Sequence, residues 1–305
     1  MTPGTPLVSV IIATYNRSNV LCFSIASVLR SRFTDWELLV VGDACTDDTE
    51  AVVASFGDPR IRFFNIEKNF GDQGGPNNEG FRHARGRYVA YLSHDDFWLP
   101  DHLDSVLGGI EETQADIVHT LGLAVKGSAR TVIPPAITSG RFVPNAGIPS
   151  SLWLARREVL EQVGPWRHPR DCYLAPSQDL LLRAWRAGKC VCAIPRITVV
   201  IISAGDRPNV YATREVDENR RWHDRMLNEL DFMASELHAV VADHLRREGD
   251  MSVWTHFRKG GINILKRAAL AFGVTPMELS YYLRYRGKGR YIDRWRRKIG
   301  LRGLR

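Results

Sequence analysis

The sequence lacks the features that mark membrane-spanning and secreted proteins. No apolar run approaches the roughly 18 residues needed to cross a bilayer, and the best, Ile197 to Ile202, has the length of a strand. Residues 1–6 contain no basic stretch followed by an apolar one, so no signal peptide is predicted. These absences predict a cytoplasmic protein that is not integral to a membrane.

Cysteine is scarce and irregularly spaced. The chain has five cysteines, an odd number, and they form no C-x-x-C pair and have no His-rich companion. Cys190 and Cys192 are two residues apart in a predicted strand, so both point to one face without the geometry of a bridge. We therefore expect free thiols rather than a disulfide framework or a zinc site.

Three common catalytic signatures are also absent. The chain has no G-x-G-x-x-G, no G-x-x-x-x-G-K-[ST] and no G-x-S-x-G. Their absence weighs against hydride transfer, P-loop chemistry and acyl-transfer hydrolysis. The Gly-rich segment Gly71 to Gly75 is instead predicted to form a flexible rim of a pocket.

The composition is that of a folded protein with an uneven charge. Of 305 residues, 44% are hydrophobic and 25% are charged, as in ordinary globular proteins. The net charge is +7, yet residues 251–305 hold 14 Lys and Arg against two acidic residues. The basic character therefore belongs to the C-terminal part.

The N-terminal half alternates strand and helix patterns. Leu7 to Ala13 is a nearly continuous β-branched run, typical of a strand covered on both faces. The predicted elements after it are a helix at Val20–Leu29, a strand at Trp36–Val41, a helix at Thr46–Phe56, a strand at Ile61–Ile66, a helix at Asn78–Ala84 and a strand at Tyr88–Leu92. This order predicts an α/β fold with a mostly parallel sheet flanked by helices, which binds ligands at the carboxyl ends of its strands.

The remainder is less regular and becomes helical towards its end. The predicted elements are helices at Arg156–Gln162 and from Gln178 or Asp179 to Gly188, strands around Val191 and at Thr198–Ile202, helices at Glu215–Arg247 and Trp254–Ala271, and a capping box at Thr275 to Glu278. We predict a catalytic domain over residues 1–212, with halves of about 1–115 and 116–212. Residues 213–305 are predicted to form a helical, basic C-terminal extension.

Polar and acidic residues follow three of the predicted parallel strands. They occupy Thr14 to Arg17, Gly42 to Asp48 and Ser93 to Asp96, and could converge at one edge of the sheet. The Asp95–Asp96 pair suits Mg²⁺ or Mn²⁺, which bind one or two carboxylates together with substrate phosphates. An acidic pair at a strand end also often caps the next helix. The residues alone leave both roles open.

Four segments together resemble glycosyltransferase family 2, whose members have the GT-A fold. They are Val8–Arg17, Asp43–Thr49, Asn78–Tyr88 and Tyr91–Asp96. The resemblance extends over about residues 7–202 and implies a GT-A-like fold that binds a nucleotide-diphosphate sugar. The chain departs from the family at two positions. Ser93 replaces the first Asp of the D-x-D motif, and Gly42 replaces the first acid after the second strand.

The resemblance implies roles for individual residues on the donor side. Thr14 and Tyr15 match the turn that holds the nucleotide base, and Asp43 matches the acid that hydrogen-bonds the base or ribose. Asp95 matches the metal-binding Asp and is predicted to hold Mn²⁺ or Mg²⁺. Further predicted substrate-binding residues are Asn16, Arg17, Asn78 and Asp96. A core aromatic at Tyr15 and a turn-forming role for Asp43 are the structural alternatives.

The acceptor side requires a general base, because an inverting transfer must remove the proton of the attacking hydroxyl. Asp179 at a helix start resembles the acidic residue that serves as base in the family, although a carboxylate there also stabilises the helix dipole. Asp171 is the second candidate. Arg17 or Arg207 is predicted to meet the phosphate charge. A phosphate contact is one role open to His94, but a lone His in a turn is more often solvated, which is the expectation here.

The predicted partners follow from the tail and from the resemblance. Aromatic residues alternate with arginines in Tyr281–Arg286 and Tyr291–Arg297, which favours either peripheral contact of residues 251–305 with an anionic membrane or a solvated extension. Nucleic-acid binding is disfavoured, because the match to a helix-turn-helix is poor. The resemblance implies a glycan or lipid-linked acceptor in surface polysaccharide or glycan synthesis, at the inner face of the membrane. The rival hypothesis is a catalytically silent module that binds nucleotide sugars or docks a partner, suggested by Gly42 and Ser93.

Overall fold

The computed structural model describes residues 4–127, 129–133, 142, 144, 147–202, 207–249 and 274–304. The first part of the chain forms β1 (Val8–Thr14), α1 (Ser18–Leu29), β2 (Trp36–Gly42), α2 (Thr49–Ala54), β3 (Ile61–Asn65), α3 (Gly74–His83) and β4 (Tyr88–Ser93). The middle part forms β5 (Phe97–Trp98), α4 (His102–Thr113), β6 (Ile117–Lys126), β7 (Ala129–Ile133), β8 (Trp153–Arg156), α5 (Arg157–Val163), α6 (Pro176–Arg186) and β9 (Val191–Ile202). Helices α7 (Asp217–Asn228), α8 (Phe232–Gly249), α9 (Pro276–Tyr285) and α10 (Arg290–Lys298) follow, and short 3₁₀ turns lie at Ser150–Leu152 and Pro169–Asp171.

The strands form one mixed sheet in the order β3-β2-β1-β4-β8-β6-β9-β5, with β7 paired to β6. Strands β3, β2, β1 and β4 are parallel to one another. Strand β8 then runs antiparallel to both β4 and β6, while β6 and β9 are parallel. The predicted α/β fold class is confirmed, and the parallel pairing is concentrated in the N-terminal half and the β6–β9 pair. The carboxyl ends of β1, β2 and β4 consequently lie side by side.

Strand β1 is at the centre of the parallel half, and its composition follows from that position. Val8, Val10, Ile11 and Ile12 are fully buried, because β2 and β4 flank the strand and helices pack against it. Two glycines of the family-like segments permit this packing. A Cβ on Gly80 of α3 would lie 2.6 Å from Ile11 Cγ2, and one on Gly86 would lie 2.5 Å from the Ser9 backbone nitrogen.

Several predicted element boundaries are corrected by the structure. The predicted helix Glu215–Arg247 is two helices, α7 and α8, and the predicted strands around Val191 and Thr198–Ile202 are one strand, β9. Helix α3 begins at Gly74, earlier than predicted, so Gly74 and Gly75 belong to the helix rather than to a flexible rim. The predicted helix Trp254–Ala271 lies outside the described residues.

The C-terminal helices pack back onto the rest of the chain. Met277 of α9 joins a buried cluster with Leu174 and Leu182, and Ile299 after α10 packs against Val210. The predicted capping box at the start of α9 is present: Thr275 Oγ1 accepts from Glu278 N, and the Glu278 carboxylate accepts from Thr275 N. Across the ranges that the structure describes, no helix is both long and apolar enough to cross a membrane. The boundary between residues 212 and 213 stays a prediction.

Candidate functional site

A cavity of about 220 Å³, lined by both polar and apolar residues, lies where β1, β2 and β4 end. Its lining comes from the turns after these strands, from the segment before α3, and from two distant parts of the chain. The lining of this central cavity includes Thr14, Tyr15, Asp43, Gly71–Gln73, Ser93, His94, Tyr211, Trp295, Arg296 and Leu301. A larger cavity of about 870 Å³ shares Tyr15, Gly71 and Arg296 with it. Small-molecule sites typically occupy about 300–1,000 Å³, so the two adjoining cavities together have room for a ligand of nucleotide size.

The turn after β1 places a hydroxyl group without a partner in this central cavity. Thr14 is buried, and its Oγ1 has no hydrogen-bond partner among the described residues. A buried polar atom without a partner is uncommon in native proteins, and a bound ligand would satisfy it. Asn16 has a different role, because its Oδ1 accepts from Thr46 N at 2.8 Å and from Asp47 N at 3.3 Å. It therefore joins the turns after β1 and β2.

Asp43 lines the central cavity and also organises the loop beside it. Its carboxylate accepts from Phe70 N at 2.6 Å, from Gly71 N at 2.9 Å and from Asn69 Nδ2 at 3.0 Å. Burial raises the pKa of Asp43, and the bonds from Phe70 and Gly71 oppose that rise. Asp43 thus fixes the loop 69–71 against the end of β2.

Asp72 is a residue of the site that sequence reasoning missed. It lines the cavity, and its Oδ1 accepts from Gly74 N at 2.9 Å. Burial raises its pKa to about 6, and the nearby Asp43 adds to the rise. The available signal was an Asp two residues before a glycine at a helix start, a common turn pattern that does not specify a cavity.

The turn after β4 separates the two neighbouring acids. Asp96 is buried, and it accepts from Ser151 Oγ at 2.6 Å and from Ile202 N at 3.1 Å. Burial and the adjacent Asp95 raise the pKa of Asp96 well above its ordinary value. Asp95 is half-buried, and its Oδ1 accepts from Ser93 Oγ at 2.7 Å.

His94 is buried, so the expectation of a solvated side chain was wrong. Its Nε2 lies 3.1 Å from the Tyr211 hydroxyl, and both side chains line the central cavity. The pKa of His94 is lowered, and burial is the main cause. Burial therefore favours the neutral form of this imidazole near pH 7.

A metal ion at this turn would be held by few protein ligands. Among the described residues, no group of three or more His, Cys, Asp or Glu is arranged to hold a metal ion. The Asp95 carboxylate and the Ser93 hydroxyl are hard oxygen donors 2.7 Å apart. They fit Mn²⁺ or Mg²⁺ that takes its other ligands from substrate phosphates and water.

Arg17 and Arg207 are occupied by contacts within the protein. Arg17 is 1% exposed, and it donates to the Val210 carbonyl at 2.7 Å and to the Glu215 carbonyl at 2.9 Å. Arg207 forms ion pairs with Glu215 and Glu218. Arg17 does not line the central cavity. In this structure both arginines hold residues 207–218 in place.

Asn78 and Asp179 lie outside the central cavity. The Asn78 carboxamide bonds both the nitrogen and the oxygen of Trp166 at 2.9 Å, and it lines a separate cavity of about 330 Å³. Asp179, in the first turn of α6, accepts from Arg183 Nε at 2.8 Å and lies 3.7 Å from Arg167 Nη1. The structure thus brings Thr14, Tyr15 and Asp43 together and leaves these two apart from them.

The fold and the site at the strand ends define the class of the protein. Half of the sheet is parallel and continues into a mixed half, and a cavity lies at the ends of β1, β2 and β4; this arrangement is GT-A-like. The sequence model described as Glycosyl transferase family 2 matches residues 9–164. The chain belongs to this family.

Relatives and solved structures agree with this assignment. The chain is 30% identical over 172 residues to the Escherichia coli UDP-Glc:alpha-D-GlcNAc-diphosphoundecaprenol beta-1,3-glucosyltransferase WfgD, covering 55% of this chain and 68% of WfgD. It is 36% identical over 112 residues to the succinoglycan biosynthesis protein ExoO of Rhizobium meliloti, covering 37% of this chain and only 32% of ExoO.

Two solved structures show the same fold at low identity. S. aureus TarS in complex with UDP-GlcNAc has a TM-score of 0.55 and 18% identity, covering 91% of this chain and 78% of that chain. The mannosyltransferase PcManGT from Pyrobaculum calidifontis, in complex with GDP-Man and Mn²⁺, has a TM-score of 0.52 and 16% identity, covering 92% and 86%.

Proposed function

We propose that the chain is an inverting transferase that moves a sugar from a nucleotide diphosphate to an acceptor hydroxyl in surface polysaccharide or glycan synthesis. The observation that carries the proposal is the central cavity, where the unpartnered Thr14 hydroxyl, the Tyr15 ring and Asp43 meet at adjacent strand ends. The complexes of TarS with UDP-GlcNAc and with UDP support a uridine nucleotide as the first donor to test. The name of WfgD supports a lipid-linked diphosphate acceptor.

Asp95, with Ser93, is proposed to hold Mn²⁺ or Mg²⁺ together with the phosphates of the donor. The Mn²⁺ in the PcManGT complex supports this choice of ion. When bound, the ion would neutralise charge on the leaving diphosphate. Asp96 is proposed to act indirectly, because its carboxyl group already bonds Ser151 and Ile202.

Asp179 is proposed as the general base. Its carboxylate would accept the proton of the acceptor hydroxyl while that oxygen attacks the anomeric carbon and the bond to the diphosphate breaks, which inverts the configuration. This role requires the acceptor hydroxyl to reach the Asp179 carboxylate beside Arg167, whose Nη1 lies 3.7 Å from it. Arg183 and Arg167 would hold the carboxylate in place.

Helix α9 supports the proposal of a peripheral membrane contact. Leu279, Tyr282 and Leu283 are 40%, 53% and 63% exposed, and four basic residues follow, at positions 284, 286, 288 and 290. Exposed apolar and aromatic side chains beside basic ones suit the interface of an anionic membrane. Such a contact would bring the enzyme to a lipid-linked acceptor at the cytoplasmic side.

The test is a thermal-shift screen of nucleoside diphosphates and nucleotide sugars with and without Mn²⁺, followed by turnover assays. Ligands that bind only the folded state raise its melting temperature. We expect a Mn²⁺-dependent shift that Asp95→Ala removes. Asp179→Asn should abolish release of nucleoside diphosphate while donor affinity is kept, and Asp224→Asn, an exposed acid on α7, is the control. Loss of turnover in Asp171→Asn instead would move the base to that residue, and no shift with any nucleotide would refute the proposal.

The rival is a module of the same fold that binds nucleotide sugars without turnover. Two observations favour it: Asp179 is paired with Arg183 and Arg167, and Gly42 and Ser93 replace acids of the family pattern. This module would show the thermal shift but release no nucleoside diphosphate with any acceptor. The same two assays therefore separate it from the enzyme.

A further inference from the structure

A basic side chain from the C-terminal helix forms part of the lining of the central cavity. Arg296 of α10 is only 7% exposed, yet its guanidinium lies at the cavity and at the adjoining larger one. Its Nη1 donates to the Gly71 carbonyl, and its Nε donates to the Arg302 carbonyl at 2.8 Å. These bonds fix the planar group beside the loop 69–71.

The charges around the cavity require a cation if a diphosphate is to bind there. Asp43 and Asp72 line it, and both would repel an anionic ligand when ionised. Among the described lining residues, Arg296 is the one permanently charged cation.

The surrounding contacts hold Arg296 in this position. Asn209 N donates to the Lys298 carbonyl at 2.9 Å, and Tyr211 N donates to the Ile299 carbonyl at 3.1 Å. Leu304 Cδ2 lies 3.1 Å from where a Cβ on Gly71 would be, so the tail lies directly against that glycine. Helix α10 and the residues after it are thus attached to Tyr211 and Gly71, which both line the cavity.

We propose that Arg296 binds the diphosphate of the donor, so that the C-terminal helix completes the donor site. This inference rests on the proposed function, because it takes the ligand to be a nucleotide diphosphate. An arginine presents several N–H groups in a fixed plane, the geometry that binds phosphate oxygens in pairs. Arg296 would supply positive charge in addition to that of the proposed metal at Asp95.

The alternative is that Arg296 only anchors the tail to Gly71. The two roles differ in which part of the ligand each one affects. A diphosphate-binding arginine contributes to the affinity for UDP but not to that for uridine. An anchor changes the shape of the cavity and therefore weakens both ligands alike.

The experiment is calorimetric titration of the full chain with UDP, UMP and uridine, in EDTA and again with Mn²⁺. EDTA isolates the contribution of Arg296 from that of a metal at Asp95. We compare Arg296→Gln and Arg296→Lys with Arg294→Gln, which removes one charge from an exposed position of the same helix. Charged hydrogen bonds lead us to expect that Arg296→Gln weakens UDP by roughly tenfold to a hundredfold, while uridine changes by less than about twofold.

The control should leave all three affinities unchanged, and Arg296→Lys should recover part of the UDP affinity. Equal weakening of UDP and uridine in both Arg296 variants, or no change in either, would overturn the proposal. If Arg296→Gln does not fold, the comparison of UDP with uridine is made on Arg296→Lys alone. This variant keeps the positive charge but loses the planar guanidinium that binds phosphate oxygens in pairs. If the wild-type protein binds none of the three ligands, the titrations are repeated with the nucleoside diphosphate that the thermal-shift screen selects, and binding of no nucleoside diphosphate would refute the proposed function itself.

Discussion

Replacing Arg17 tests whether this residue holds the fold or binds the donor. Its guanidinium is buried and donates to two carbonyls, those of Val210 and Glu215. Burial disfavours the charged guanidinium and is the main cause of its lowered pKa. The two carbonyls and the Tyr211 ring, whose centroid lies 5.2 Å away, surround the charge and offset this cost. Arg17→Met removes both donors and keeps most of the side-chain volume.

The size of the effect follows from the two carbonyls that lose their donors. Each buried group left unsatisfied costs about 1–3 kcal/mol, so we expect a loss of roughly 2–6 kcal/mol in the free energy of unfolding. In proteins of 150–250 residues each kcal/mol lowers the melting temperature by roughly 2–4 °C. A fall of roughly 4–24 °C is therefore expected.

The assay is scanning fluorimetry of Arg17→Met beside Arg220→Met, which makes the same change at an exposed position of α7. The control should melt within about 1 °C of the wild type, because exposed substitutions are usually close to neutral. UDP affinity is then measured well below the melting temperature. A variant that melts like the wild type but no longer binds UDP would refute the structural role and restore Arg17 as a substrate ligand.

Three further predictions concern the acids and a glycine near the site. Asp96→Ala should lower the free energy of unfolding by about 2–6 kcal/mol, because two buried donors lose their acceptor, whereas Asp95→Ala should leave the free energy of unfolding of the ligand-free protein almost unchanged; urea titration of both variants checks this. The pKa of Asp72 is raised from 3.8 to about 6, so its neutral form is favoured in the folded state, and its stabilising contribution is present below pH 3.8 and lost as the pH rises through 6. Asp72→Asn should flatten this part of the stability profile. Gly86→Ala should cost about 1–3 kcal/mol through overpacking against β1, while Gly108→Ala, with open space around its Cβ in α4, should not destabilise the protein; equal effects of the two changes would contradict the packing argument.

The parallel half of the fold could be predicted because its strands are buried on both faces. Such strands are nearly continuous β-branched runs, and Leu7 to Ala13 shows this pattern without interruption. The break between α7 and α8 could not be predicted, since charged residues continue through it. Only the folded chain shows that Arg225 bonds both Glu229 and Glu236 across the break.

The site could be predicted only in part, because the topology fixes which strand ends meet but not where each side chain points. Thr14, Tyr15 and Asp43 follow neighbouring parallel strands, so the topology alone brings them together. The direction of a side chain is not fixed by its place in a turn, and Asp96 points to Ser151 while Asp95 lies beside Ser93.

Residues from distant parts of the chain were not predicted to line the cavity. Trp295 and Arg296 belong to the segment Tyr291–Arg297, which is predicted to contact a membrane surface or to be a solvated extension, yet Arg296 is buried. Both reach the cavity, as Tyr211 does, through tertiary packing that no local pattern encodes.

The long-range contacts around the central cavity also imply an order of events during folding. Arg17 bonds a carbonyl 193 positions away, and Arg296 bonds one 225 positions away. Contacts of such large sequence separation form slowly, because a long loop must close before they stabilise anything. Synthesis adds about 5–20 residues per second from the N-terminus, so β1 to β4 emerge well before α10 does. A nascent chain that has finished its parallel strands therefore still has an open cavity, which becomes complete only when the last helix docks.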